Sequence, residues 1–367
     1  MTTNLPIHSP THRPDRIRHD VGVDLAAPPP PPPPAAVPYA APPPAAPAPT
    51  GWLRRPGPGT PYHRLARTAA HRWWRPVLGT VVLVVGAIAA IIGLMAVWWT
   101  VGHLTGRPLD ADDFPTFGPV ADTALTLLVV AVLLPVVLLA AFAVQARPVG
   151  TLSSVCGRLR WRWLAECLLP ALLAVGLLLA GMAGFFALAG ETVLPGAESL
   201  VDAGTLAVSL VMLVVLVPVQ AAAEEYLCRG WLLQAVGVFL RTPWPGIAVQ
   251  AVVFATLHGW GTPWGFIDLC FFGAALGWLT VRTGGLEAAI AWHVVNNLAF
   301  MGLAAAFGQL ADQETAADAG WQLLPVDVLA ITAYVLVVDR LARRRRIART
   351  VPAAPVGPPT TPAPALP

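Results

Sequence analysis

The chain alternates between long apolar runs and short polar connections over most of its length. A helix needs about 20 consecutive apolar residues to cross the hydrocarbon core of a bilayer. Eight runs meet or approach this length, of which the fifth and sixth are short: 77–101, 122–145, 163–189, 203–228, 244–260, 264–281, 286–308 and 321–339. The pattern therefore predicts an all-α fold, a polytopic membrane helix bundle with about eight transmembrane helices.

Both ends of the chain lack this pattern. Pro28–Pro34 is an unbroken proline run, and Ala/Pro repeats continue to Pro49. Such sequence has few apolar side chains to bury and few N–H groups to pair, which favours disorder or polyproline II. We expect a disordered Pro/Ala-rich cytoplasmic tail over 1–70, a transmembrane bundle over 71–340, and a basic then Pro-rich cytoplasmic tail over 341–367.

Composition and charge agree with a membrane protein. Hydrophobic residues make up 56% of the 367 positions and charged residues 12%, about half the usual share, which excludes a wholly water-soluble globule. Every basic residue is Arg, and the arginines cluster near both chain ends and in alternate connections. The positive-inside rule then places both termini in the cytoplasm. Abundant Ala, Pro and Arg without Lys is typical of a GC-rich bacterial genome, so we expect a multi-pass protein of a bacterial inner membrane.

Ionisable side chains are scarce inside the predicted spans, so the few that occur there are functional candidates. Glu224, Glu225 and Arg229 lie together near the end of the fourth run. Glu225 and Arg229 are four residues apart, in the order that favours an ion pair on one helix face, whereas Glu224 points about 100° away. One carboxylate is then neutralised locally, and the other is left to face another helix.

Two later runs each carry one histidine, His258 and His293, while the other six histidines lie in tails or loops. His258 follows Phe254 by four residues, and His293 precedes Asn297 by four, so each pair projects from one helix face. We expect the three polar edges to converge on one wet pocket with apolar walls. The plainer interpretations stay open, because a Glu–Arg pair can anchor a helix end and a buried histidine can simply pack.

Such a pocket supports hydrolysis. A carboxylate in a low-dielectric site gains proton affinity and can act as a general base toward water. A histidine can share that water, and a His beside an Asn can donate to a developing oxyanion, which is worth roughly 3 kcal/mol per donor. Alternatively, one glutamate and two histidines form a zinc-binding set, here Glu224, His258 and His293.

Three ordered motifs in these runs resemble those of the CPBP family of intramembrane proteases, which includes type II CAAX prenyl endopeptidases and lysostaphin resistance protein A-like (Abi) proteins. The motifs are Glu224-Glu225-x-x-x-Arg229, Phe254-x-x-x-His258 and His293-x-x-x-Asn297, and Thr283-Gly284-Gly285-Leu286 leads into the third. The resemblance covers roughly residues 160–310, which we expect to be the protease-like core.

The resemblance implies an eight-span helical core that hydrolyses peptide bonds of membrane-associated proteins or peptides, of prenylated-like or bacteriocin type. It implies that Glu224 and His258 activate a water. It further implies that His293 and Asn297 stabilise the oxyanion.

The resemblance gives Glu225 and Arg229 a supporting role. The family has been described both as metalloproteases and as metal-free glutamate enzymes, so the expected cofactor is either none or a divalent metal such as Zn²⁺. The chain has no HExxH, GxSxG, Walker or GxGxxG sequence. We therefore expect membrane lipid and a protein or peptide substrate as partners, and no nucleotide or nucleic acid.

Two other functions stay open on the sequence alone. The protein can be a non-catalytic membrane immunity or scaffold protein that keeps the pocket without turnover. It can also be a solute transporter, in which Asp202, Glu224 and Asp327 would bind an ion or solute.

If the spans alternate strictly in direction, Glu224 and His258 lie at different depths in the membrane. Glu224 would end its span at the cytoplasmic face and His258 would end the next near the outer face, too far apart to share a water. We expect either that the helix carrying Glu224 sits higher in the membrane or that the 230–262 region is short or broken. Pro243 and Pro245 favour a break, because proline removes a helix N–H donor.

Overall fold

A computed structural model describes residues 51–190, 199–310 and 315–353, so most of both predicted tails lies outside the described residues. Within these ranges the chain is all-helical, as predicted, with three isolated β-bridges and no strand. The helices are α1 (Trp74–Leu104), α2 (Pro119–Ala131), α3 (Leu133–Ala143), α4 (Gly150–Ser153), α5 (Trp161–Ala189), α6 (Ala203–Glu225), α7 (Leu233–Gly237), α8 (Trp244–Leu257), α9 (Pro263–Thr283), α10 (Glu287–Ala306) and α11 (Leu323–Arg344).

All eight predicted spans are helical, and α2 and α3 together form the second of them. Six helices of the described chain are long and apolar enough to cross a membrane. The fifth predicted span, α8, has 14 residues. The eighth, α11, has 22 residues and ends in Arg343 and Arg344. The prediction of a polytopic helix bundle is confirmed.

The helix that carries the two glutamates is longer than the sequence pattern predicted. α6 continues through a π-helical turn, Tyr226–Leu232, into α7, which gives a span of 35 residues ending at Gly237. At 1.5 Å per residue, Glu224 lies about 20 Å from that end. α8 measures about 21 Å, short of the roughly 30 Å hydrocarbon core. Glu224 therefore lies inside its span and not at the end, and α8 is too short to carry His258 across the whole membrane. Both features bring Glu224 and His258 to similar depths.

α10 lies at the centre of the bundle, packed against α5, α6 and α9. Ala288 and Ala289 are fully buried, and such small side chains let neighbouring helices approach closely. The helix start is anchored by Glu287, whose carboxylate accepts bonds of 2.6–2.8 Å from the backbone N–H and guanidinium of Arg160. Arg160 also donates to the Thr283 carbonyl at 3.0 Å. These bonds fix the turn from which α10 starts.

Residues 51–73, before α1, pack on the bundle, although the sequence pattern assigned 1–70 to a disordered tail. Tyr62 and Leu65 are fully buried in an apolar cluster with Leu233. Large apolar side chains such as these can be buried against the bundle, whereas a Pro/Ala-rich sequence has few such side chains. The ordered part of the chain therefore begins before residue 71.

The segments that precede α1 and follow α11 meet on one face of the bundle. Pro61 and Thr350 form an antiparallel β-bridge, and Val351 N–H donates to the Thr60 carbonyl at 2.9 Å. The first residues of the predicted C-terminal tail, which starts at 341, are thus part of the folded bundle. The chain enters its first helix and leaves its last on the same side of the bundle.

Replacing Gly237 by alanine is expected to detach the segment before α1. A Cβ at this position would lie 1.8 Å from the His63 carbonyl oxygen, so the backbone around His63 has to move. Overpacking of this kind destabilises by about 1–3 kcal/mol. Limited proteolysis should cut the 51–73 segment faster in Gly237→Ala than in the natural protein. Gly176→Ala is the control, because nothing lies within 4 Å of its added Cβ; equal protection in both variants would contradict the packing described.

Candidate active site

The two glutamates lie at the end of α6, directly before the π-helical turn. Turns of this type are frequent at functional sites, because the extra residue re-aims the side chains around it. Glu225 is fully buried and accepts a hydrogen bond from Nη1 of Arg229 at 3.0 Å. This is the ion pair that the spacing of the first motif predicts. The Glu224 side chain keeps 15% of its surface exposed, so it is the more accessible carboxylate.

Arg229 is held by aromatic faces as well as by Glu225. Its guanidinium carbon lies 4.4 Å from the ring centroid of Phe254 and 5.6 Å from that of Phe272. Its Nε and Nη2 atoms are buried and have no hydrogen-bond partner among the described residues. Cation–π contacts stabilise a desolvated guanidinium by about 2 kcal/mol. Phe254 of the second motif thus contacts the first.

His293, on α10, lies between the two glutamates. Its Nδ1 is 2.8 Å from Glu225 Oε1, and its Nε2 is 3.3 Å from Glu224 Oε2. A neutral imidazole carries one N–H and donates to one of these carboxylates, whereas an imidazolium donates to both. The residue is 2% exposed, so this contact between the first and third motifs is almost free of bulk water.

Gln220 links Glu224 to Asn297. Its amide nitrogen donates to Glu224 Oε1 at 2.8 Å, and its amide oxygen accepts from Asn297 Nδ2 at 3.1 Å. Gln220 is not among the site residues that the sequence predicts. A signal was present, because Gln220 lies four residues before Glu224 and therefore on the same helix face.

His258 lies at the edge of this group. Its Nδ1 is 2.9 Å from the Phe254 carbonyl oxygen, which leaves Nε2 free. The Phe254 ring contacts both histidines, with ring centroids 4.6 Å from His258 and 6.0 Å from His293. Among the described residues the His258 side chain has no hydrogen bond to Glu224 or His293. The structure thus brings the first and third motifs into direct contact, and adds His258 through an aromatic ring.

The donor set meets part of the requirement for a divalent metal. Glu224 Oε2 and His293 Nε2 are neighbouring donors, and the Nδ1 of His293 contacts a carboxylate, as is usual for a metal-ligating histidine. Catalytic zinc takes three protein ligands. Within the described ranges no three His, Cys, Asp or Glu side chains are arranged to hold a metal ion, so the described side chains do not form a closed zinc set.

The residues considered for solute transport are spread through the bundle. Asp202 is the N-cap of α6 and accepts from the backbone N–H groups of Gly204 and Thr205 at 2.9 and 3.1 Å. It lies about 33 Å from Glu224 along the helix. Asp327 lies on α11 and interacts with Asp268 on α9, and both side chains are buried. Asp202 thus caps a helix far from Glu224, and Asp327 has a separate carboxyl partner.

Comparison with known proteins gives one family and one relative. Residues 206–299 match the family model described as Type II CAAX prenyl endopeptidase Rce1-like. The chain is similar to "Uncharacterized protein YyaK" of Bacillus subtilis (strain 168), with 26% identity over 234 residues, which is 61% of this chain and 76% of that protein. No solved structure matches the chain.

The family match confirms the resemblance drawn from the three motifs. The matched segment runs from α6 into α10 and contains all seven residues named in the three motifs: Glu224, Glu225, Arg229, Phe254, His258, His293 and Asn297. Six helices long and apolar enough to span a bilayer indicate a multi-pass membrane protein, and its segment 206–299 is similar to type II CAAX prenyl endopeptidases.

Proposed function

We propose that this protein is an intramembrane endopeptidase that hydrolyses peptide bonds of membrane-associated proteins or peptides. The observation that carries the proposal is the contact between Glu224 and His293, within a segment that matches a family of prenyl endopeptidases. A carboxylate and an imidazole from distant parts of the chain meet in a nearly dry site. Such a site favours proton transfer and strengthens hydrogen bonds to a developing charge.

In the proposed reaction Glu224 is the general base. Gln220 holds Oε1, and Oε2 is buried with no hydrogen-bond donor other than the imidazole it faces. Glu224 takes a proton from a water that His258 also orients, and the water oxygen bonds to the substrate carbonyl carbon. General-base catalysis of this kind contributes about 10²–10⁴-fold to a rate.

His293 and Asn297 are the proposed oxyanion donors. Asn297 offers the amide N–H that does not bond Gln220, and His293 offers the Nε2 N–H that faces Glu224 until Glu224 takes the proton of the water. Each such donor to the oxygen that becomes negative in the tetrahedral intermediate is worth about 3 kcal/mol. Glu224 then returns its proton to the leaving nitrogen, the carbon–nitrogen bond breaks, and a carboxylic acid and an amine are released. Glu225 and Arg229 do not contact the reacting atoms; they position His293, because Glu225 contacts its Nδ1 and Arg229 holds Glu225.

The surroundings of the site support a substrate that is associated with the membrane. The site lies on helices that are long and apolar enough to span a bilayer, so a lipid-linked or membrane-embedded peptide of prenylated-like or bacteriocin type has access that a soluble protein lacks. Pairing of Pro61 with Thr350 puts both flanking segments on one side. Their many arginines favour the cytoplasmic side of a bacterial inner membrane.

The experiment that tests the proposal is peptide cleavage by the purified protein in proteoliposomes. Membrane-anchored reporter peptides, with and without a prenyl group, are followed by mass spectrometry, with chelator and metal analysis in parallel. Internal cleavage of an anchored peptide is the expected result. Folded protein that leaves every reporter intact would favour the non-catalytic scaffold. Loss of cleavage with chelator, restored by Zn²⁺, would add a metal to the Glu224 and His293 donors.

Replacing Gln220 by alanine is expected to lower kcat/KM about 10-fold, which corresponds to 1.4 kcal/mol. The change removes the hydrogen bond that fixes Glu224 Oε1 and frees the Asn297 amide. Ser209→Ala is the control, because Ser209 is also buried on α6 and only bonds the carbonyl of Thr205 in its own helix. Cleavage kinetics in proteoliposomes measure both variants, and equal rates would remove Gln220 from the site.

A further inference from the structure

Two carboxyl groups outside the candidate active site are buried together between α9 and α11. Asp268 on α9 is 6% exposed, and Asp327 on α11 is 5% exposed. Thr262, directly before α9, bonds the carbonyls of Ala317 and Ala319 before α11, so the two helices start side by side, and each carboxyl lies one to two turns into its helix. At these matching positions the two buried side chains interact with each other. Each has a buried Oδ1 that no N–H or hydroxyl donor of the described residues satisfies. Neither forms an ion pair with an Arg or His in the described ranges.

Two ionised carboxylates are strongly disfavoured in such a contact. Burial removes the water that stabilises each charge, and the second charge repels the first. An intramembrane acid without a counter-ion is a functional candidate whose partner has to be identified. A proton on one carboxyl removes the repulsion and supplies the missing donor. We propose that Asp268 and Asp327 form a proton-binding site, in which one proton is shared between the two side chains.

No neighbouring charge takes the place of this proton. On the pair's own helices, Arg282 and Asp339 bond each other at 3.1 Å. Arg340, Arg343 and Arg344 are also on α11, but they are exposed and lie about 20 Å or more from Asp327 along the helix. The other titratable groups on these two helices, on α5, α8 and α10, and in the turn before α11 are thiols or have hydrogen-bond or ion-pair partners of their own: Arg162, Glu166, Cys167, His258, Cys270, Glu287, His293, Asp318 and Tyr334.

The carboxyl pair lies close to the turn before α11, and this turn bonds both the start of α9 and the backbone of His258. Thr262, at the start of α9, donates from its N–H to the Ala317 carbonyl at 2.8 Å, in the short turn before α11. In the same turn, Thr315 donates from its hydroxyl to the carbonyl of His258 at 3.0 Å. Loss of the proton would push α9 and α11 apart close to this turn. The proton site itself does not depend on the proposed proteolysis.

Infrared spectroscopy tests the proposal directly, because a protonated carboxyl has a C=O stretch separate from that of a carboxylate. The natural protein should show this band at neutral pH, with a contribution of one acid group per chain from the pair. The double variant Asp268→Asn/Asp327→Asn should lose that contribution, and its two amides can still bond each other. Asp202→Asn is the control, since Asp202 is an exposed helix cap. An unchanged band in the double variant would overturn the proposal.

Thermal unfolding in detergent gives the second measurement. Because the folded pair keeps a proton that the unfolded chain releases, alkaline pH should lower the Tm of the natural protein more than that of the double variant. The same slope in both would count against the shared proton. A Tm that rises with added Na⁺ or Ca²⁺ in the natural protein, but not in the double variant, would identify a metal cation in place of the proton and overturn the proposal.

Discussion

Peptide cleavage by the Glu224→Gln variant is expected to fall by about 10³-fold, because the amide cannot accept the proton of the attacking water. The substitution keeps the shape of the side chain and the bond from Gln220 to its Oε1. Binding of the substrate should therefore change much less than the rate, so the loss is expected in kcat and not in KM. Single-turnover cleavage in proteoliposomes measures it.

Two variants on the same helix separate this effect from general damage to α6. Asp202→Asn changes the cap and Ser209→Ala removes a buried hydroxyl, and both positions are remote from Glu224. Both should cleave within about twofold of the natural rate, since changes away from a special contact are usually small. A Glu224→Gln protein that cleaves at the natural rate would remove the general base from the proposal. An intact cellular phenotype without cleavage would favour the scaffold function.

Arg229→Ala is expected to destabilise the fold by about 3–5 kcal/mol, because it leaves the Glu225 carboxylate buried without its arginine, with only His293 in contact. Glu225 and Arg229 are both fully buried; Arg229 bonds Oε1 of Glu225, and Oε2 has no hydrogen-bond partner among the described residues. The substitution also removes the cation from the faces of Phe254 and Phe272. Reversible unfolding in mixed detergent micelles measures the free energy.

The double variant Glu225→Gln/Arg229→Met should be more stable than Arg229→Ala alone. It removes both charges, keeps a hydrogen-bonding group for His293, and fills the space with an apolar chain. Arg343→Ala is the matched surface control, because Arg343 pairs with Asp339 but is half-exposed. Its loss should be at most about 1 kcal/mol. Equal losses of unfolding free energy in Arg229→Ala and Arg343→Ala would show that the buried pair stabilises the fold no more than the surface pair.

Much of the fold follows from the sequence, because a bilayer imposes a length on every apolar run. The eight predicted runs all became helices, and most limits differ by a few residues. The main error was at the end of the fourth run. Glu224, Glu225 and Arg229 suggested a helix terminus at a polar surface, but partners from other helices neutralise these groups, and the helix continues to Gly237.

The packing of residues 51–73 on the bundle was equally hard to predict. Proline-rich sequence predicts disorder as far as residue 70, and only the tertiary structure provides the apolar partners of Tyr62 and Leu65. The bridge between Pro61 and Thr350 joins segments at opposite ends of the chain. No local pattern in either segment specifies such a contact.

The candidate site was predictable where spacing within one helix decides the contact. The separation of four residues predicts that Glu225 and Arg229 meet, and it would also have predicted the bond between Gln220 and Glu224. The position of His293 between two carboxylates depends on how α6 and α10 are rotated against each other. That rotation is set by packing across the whole bundle, so no spacing in the sequence determines it.

The central claim is that Glu224 and His293 act as one unit on one peptide bond. A kinetic double-mutant cycle in proteoliposomes tests it, with Glu224→Gln, His293→Gln and the combined variant, each checked for folding by its Tm. We predict that each single change lowers kcat/KM by at least about 10²-fold, and that the combined variant is within about 10-fold of the slower single one, as for residues that act together. Single variants that cleave at the natural rate, or losses that multiply in full, would contradict the account.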